Sequence, residues 1–94
     1  MGEKILERRL REEVKKMGGK AMKFVSPGNN GVPDRVVLFP NGKCCFVEVK
    51  STGKKPTPIQ SVVHKEFRAL GFHVWVIDTK EGLDLFLKYY AEQE

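Results

Sequence analysis

Near its start the chain carries an apolar residue at every third or fourth position: Leu6, Leu10, Val14 and Met17 are separated by charged residues, the period of a helix with one buried stripe. The pattern predicts a helix over residues 3–17, ended by Gly18-Gly19. Beyond it the period shortens. Ala21-Met22-Lys23-Phe24-Val25 reads as a first strand and residues 26–31 as a loop dense in turn formers. Val36-Val37-Leu38-Phe39 and Cys44-Cys45-Phe46-Val47 read as two more strands. Thr57-Pro58-Ile59-Gln60 marks a helix start, with Thr as cap, Pro in the first turn and Gln three residues after the cap. Val62, Val63, Phe67 and Leu70 are the apolar face expected of that helix and Gly71 its stop, with His64, Lys65 and Arg68 elsewhere on its surface. Residues 72–77 are apolar at nearly every position, which predicts a strand covered on both faces and central in its sheet. Thr79 caps a last helix with Leu83, Phe86, Leu87 and Tyr90 at core spacing.

The order α-β-β-β-α-β-α places a helix between the third and fourth strands. A right-handed crossover there makes those strands parallel, so the expected architecture is α/β, a mixed four-stranded sheet with helices on both faces. The 94 residues are read as a single domain, 1–94, large enough for a modest core. No apolar run approaches the ~18–20 residues of a membrane span, and the charged amino-terminus lacks a signal-peptide core. A cytoplasmic, non-secreted protein without a membrane partner is the expectation. Cys44 and Cys45 are adjacent on a strand, point to opposite faces and have no further zinc-ligand spacing, so they read as reduced core residues. His64 and His73 lack partner spacing and read as structural or incidental. The net charge of +5 is compatible with a polyanionic partner. Arg8, Arg9, Arg11, Lys15 and Lys16 on the first helix read as a solvated face or a phosphate-contacting one.

Candidate chemistry enters with Pro40-Asn41-Gly42, between the second and third strands. Pro as the second residue of a type I turn, then Asn, then a left-handed Gly predict a three-residue hairpin loop with a G1 bulge. Phe39 then faces Lys43 and, pair by pair outward, Asp34 faces Glu48 with Cβ atoms about 4.5–5.5 Å apart. Lys50 shares that face. Opposed carboxylates repel, so the pairing suits a hard divalent cation between them, Mg²⁺ above all, held by one or two carboxylates and several waters. The plain alternative is that Asp34 starts a strand after a proline turn and Glu48 and Lys50 are solvated edge residues. Glu7 lies ~60° from the centre of the first helix's stripe, bordering the core, where a solvent-facing glutamate is not required and the plain reading is stabilisation of the helix dipole. Asn29 and Asn30 stand in a loop able to cradle phosphate or simply to connect. Lys54 and Lys55 stand in a short basic stretch able to meet a nucleic-acid backbone or simply to link elements.

Pro33-Asp34, thirteen residues and then Glu48-Val49-Lys50 resembles the signature of the PD-(D/E)XK nuclease superfamily. The fuller run from Lys23 to Arg35, with Phe46-Val47-Glu48-Val49-Lys50 and Pro58-Ile59-Gln60, is similar to its VRR-NUC branch, the virus-type replication-repair nucleases. The resemblance implies a restriction-endonuclease-like core and a Mg²⁺-dependent DNA endonuclease, with Mn²⁺ able to substitute. It implies that Asp34, Glu48 and the Val49 carbonyl hold metal, that Lys50 assists the attacking water or the phosphorane, and that Glu7 and Gln60 orient waters or ligands. Glu3 and Glu13 flank the same helix stripe as alternatives to Glu7, and Gln60 already has a capping role that one amide cannot fully combine with a site role. Members of this size resemble junction-resolving homodimers, so branched DNA such as a four-way (Holliday) junction is the expected substrate. A non-catalytic DNA-binding module and a nuclease for linear ends or RNA are the other readings.

Overall fold

The computed structural model describes residues 1–93. Its elements follow the expected order: α1 (Glu3–Lys16), β1 (Lys20–Lys23), β2 (Arg35–Phe39), β3 (Lys43–Val49), α2 (Pro58–Ala69), β4 (Val74–Ile77) and α3 (Lys80–Ala91). The sheet runs β1-β2-β3-β4, antiparallel at its first two pairings and parallel between β3 and β4. The crossover through α2 accounts for that parallel pair.

Alternation along the strands sorts the side chains onto two faces. Val37, Phe39, Cys45, Val47 and Val49 pack with Leu6, Leu10 and Val14 of α1 and Leu83 and Phe86 of α3 in one buried cluster. On the other face Phe46 meets Phe67 of α2 edge-on at 4.9 Å, and Phe24 closes the group at 5.5 Å from Phe46. The end of α1 shows why two glycines follow it. Gly18 N–H donates to the Lys15 carbonyl and Gly19 N–H to that of Val14, both at 2.9 Å, with Gly18 left-handed at φ 83°. This is a Schellman closure. A Cβ on Gly19 would run into the Leu38 carbonyl, so the turn also lets α1 lie close on the sheet.

Three expectations are corrected. β4 is an edge strand, because the crossover lays it beside β3 and, among the described residues, nothing pairs beyond it. Its apolar character serves helix packing: Val74 and Ile77 are buried and Trp75 stands edge-on to Phe86 of α3 at 5.3 Å, while Val76 is exposed. The inward face of α2 is also different. Val62 and Leu70 are exposed, Val63 and Phe67 are half-buried, and the buried residue is His64. Cys45 is core, but Cys44, on the opposite face of β3, is exposed. Among the described residues, no helix is long and apolar enough to cross a membrane.

Candidate active site

The hairpin delivers the register read from its sequence, by a different turn. Phe39 pairs with Lys43 and Arg35 with Val47, so one step further Asp34 faces Glu48. The expected type I turn is not what closes the loop: Asn41 and Gly42 are both left-handed, at φ 69° and 75°. Asn and Gly together tolerate this conformation, whose twist matches the strands it joins. Pro40 is the residue that keeps the loop at three, and loop length rather than turn type sets the parity.

Asp34 is held from both sides. Its carbonyl accepts from Phe24 N–H at 2.8 Å, extending the β1–β2 ladder, and its Oδ2 accepts from Val49 N–H at 3.3 Å. The Asp34 carboxylate therefore lies against the backbone of Val49, whose carbonyl the resemblance assigns to metal. Glu48 is almost fully enclosed, at 1% exposure. Lys50 Nζ is 3.5 Å and Gln60 Nε2 3.4 Å from its Oε2. His64 Nε2 lies 3.4 Å from its Oε1 with no hydrogen bond formed, and both atoms are buried without partners.

Burial first, and then the hydrogen bond and charge of Asp34, push the Glu48 carboxyl up to about 8, against the opposing pull of Lys50. His64 does not relieve this. Burial and then the Arg68 charge hold its imidazole below the ordinary histidine value, so it faces Glu48 as a neutral ring at pH 7. Without an ion Glu48 therefore mainly holds a proton at pH 7, and a cation that took the proton's place would restore the carboxylate and meet its unpartnered Oε1. A hard cation fits. Among the described residues no three His, Cys, Asp or Glu side chains cluster to cage an ion, so one here would rest on two carboxylates, a backbone carbonyl and waters. That all-oxygen, partly hydrated set suits Mg²⁺ better than zinc.

Asp34, Glu48, Lys50 and Gln60 line a cleft of about 390 Å³ with Glu3, Glu7 and Lys23. Glu7 reaches it from α1, its Oε1 3.9 Å from Arg35 NH2. Glu3 lines the cleft as well, whereas Glu13 pairs with Lys16 at 3.2 Å. Gln60 overturns the expectation of competing roles. Its Oε1 accepts from Thr57 N–H at 2.9 Å to complete the capping box, and its Nε2 donates to Glu48. One amide does both because its two ends point in opposite directions.

Asn29, Asn30, Lys54 and Lys55 are not among the residues that line this cleft. Asn29 Nδ2 closes its own loop on Ser26 Oγ at 2.9 Å, and Asn29 and Asn30 border a separate hollow beside Ile59 and Val63. Lys54 and Lys55 are exposed, on a segment tied to Asp78 by Thr52 Oγ1 at 2.7 Å and Gly53 N–H at 3.0 Å.

Two site residues were not anticipated. His64 stands one turn beyond Gln60, a spacing that puts both on one helix face, but that this face turns inward is decided by the sheet beneath it. Arg35 is buried on the α1 face with its Nε unpartnered, and NH1 donates to the Ala21 carbonyl at 3.4 Å. Strand parity turns it away from Asp34 and towards Glu7.

No family model matches the chain. It is 54% identical over 76 residues to "Putative nuclease p44" of Acyrthosiphon pisum secondary endosymbiont phage 1, a match spanning 81% of this chain and 82% of that protein. A solved VRR_NUC domain superposes with a TM-score of 0.88 at 32% identity, over 94% of this chain and 96% of the other. Likeness of this order over most of both partners reflects common descent as well as common shape, and the chain belongs to the VRR-NUC family of nucleases.

Proposed function

We propose that this nuclease is a Mg²⁺- or Mn²⁺-dependent DNA endonuclease that cleaves branched DNA, four-way (Holliday) junctions included, as a homodimer. The observation that carries the reading is the pairing of Asp34 and Glu48 across one hairpin, in a cleft shared with Lys50. Asp34, Glu48 and the Val49 carbonyl are the groups that would hold the ion. When bound, it supplies Lewis-acid polarisation of a phosphate oxygen and acidifies a bound water.

The chain's own groups do the rest. Hydrolysis joins a water oxygen to phosphorus as one P–O ester bond breaks; the water's proton leaves to solvent and the departing oxygen takes one up. Lys50 brings an ammonium beside the charge that develops on the phosphorane. Gln60 steadies Glu48, and Glu7, anchored towards Arg35, orients water at the opposite wall.

One cleft cuts one strand, so symmetric cleavage of a four-way junction calls for two clefts related by a twofold axis. Support for pairing comes from α2, where Ile59, Val62 and Leu70 form an exposed apolar row that a second copy would cover. The test compares a labelled junction, a flap, a splayed arm, the component duplexes and the matching RNA at one salt concentration, with Mg²⁺ or with chelator. Metal-dependent cutting that favours the branched forms is expected. If junction, flap and splayed arm all stay intact in Mg²⁺, the proposal fails.

A further inference from the structure

We infer that the groove between α1 and β1, bounded by Arg11, Lys15 and Lys20, is the track along which the DNA strand runs away from the cleft. The inference rests on the nuclease reading of that cleft and adds where the substrate backbone lies.

The row Glu3, Glu7, Arg11 and Lys15 advances four residues at a time, so the four share one flank of α1 and step about 6 Å along it. Glu3 and Glu7 line the cleft, and Arg11 and Lys15 line the groove that follows it. The facing strand repeats the order. Lys23 lines the cleft and Lys20 the groove, about 10 Å further along β1, the two side chains leaving the strand on opposite faces. The groove, about 570 Å³, lies along the same two elements as the cleft, α1 and β1, with the acidic side chains at the cleft's end of them and the basic ones at its own.

Its charge is uncommitted. The remaining acids of α1 are matched by other cations, Glu12 by Arg8 at 3.9 Å and Glu13 by Lys16 at 3.2 Å. Among the described residues, Arg11, Lys15 and Lys20 have no carboxylate within ion-pair distance, and all three are exposed. Edge strands carry lysines to discourage strand addition, which accounts for Lys20 alone but not for the two helix cations that line the same groove. The step from Arg11 to Lys15, about 6 Å, matches the rise of roughly two nucleotides in a strand.

Arg11→Ala/Lys15→Ala/Lys20→Ala is compared with Lys65→Ala/Lys80→Ala/Lys88→Ala, which removes the same net charge at other exposed positions. Cleavage of a labelled junction in Mg²⁺ gives KM and kcat, fluorescence anisotropy without metal gives affinity against salt, and thermal melting checks the fold. The groove variant is expected to raise KM by about tenfold at 0.15 M salt, keep kcat and lower the slope of log K against log salt by about 3. The control should move each far less, and Arg11→Lys/Lys15→Arg/Lys20→Arg should restore binding. Equal behaviour of the two alanine triples would overturn the inference, even if the wild type cuts. If the wild type binds DNA through the groove without cutting it, the nuclease reading fails and the groove assignment stands.

Discussion

On the proposed mechanism Glu48 is the residue on which the chemistry turns. Its enclosed carboxyl stands at about 8 in the fold against 4.5 when free, so folding favours its protonated form. In metal-free protein that contribution is fully present below pH 4.5 and is lost as pH rises through 8. Glu48→Gln, uncharged and nearly isosteric, lacks the penalty. Denaturant melts in chelator should therefore show the variant gaining on the wild type across that interval, and a constant difference would contradict the account. Lys50 divides binding from chemistry. Lys50→Ala should leave DNA and metal binding largely intact while strand cutting falls about 10²–10³-fold, the usual cost of removing one transition-state donor. Unchanged cutting would take Lys50 out of the mechanism. Asp34, Glu48, Lys50 and Gln60 were legible in the chain because strand parity and a cap signature are local. His64 and Arg35 were not, since their interest lies in being buried polar groups, and burial is decided by what packs over them.

At the level of elements, the start of α2 ties stability to the site. Thr57 Oγ1 accepts from Gln60 N–H at 3.3 Å while Gln60 reaches both the cap and Glu48. Thr57→Ala should cost about 1 kcal/mol in thermal or chemical melts with little change in cleavage, the ordinary effect of losing a cap. Gln60→Ala should lose stability and kcat together; a loss of stability alone would confine Gln60 to capping. Element order and helix termini could be read from periodicity and caps, and the parallel β3–β4 pair from chirality. The place of β4 could not. An unbroken apolar run does not distinguish strand neighbours from helix cover, and here α3 over Trp75 supplies the cover. The inward face of α2 was misread for a related reason: counting Val62 and Leu70 as core follows hydrophobicity, whereas the sheet beneath offers Glu48, which turns His64 inward and leaves those two outside.

For the whole molecule, the proposed function gives the apolar row on α2 to a second copy and the cleft between α1 and the sheet to substrate. Sedimentation velocity should find the wild type as a dimer, and Val62→Lys/Leu70→Lys should shift it to monomer with junction cleavage reduced. A monomeric wild type at micromolar concentration would remove the dimer from the account. Everything else depends on one ion lying between Asp34 and Glu48. Anomalous diffraction from crystals soaked in Mn²⁺ tests this directly. A single strong peak within about 2–2.5 Å of an oxygen of each carboxylate is predicted. Carboxylates turned apart, or a peak that lies elsewhere, would contradict it.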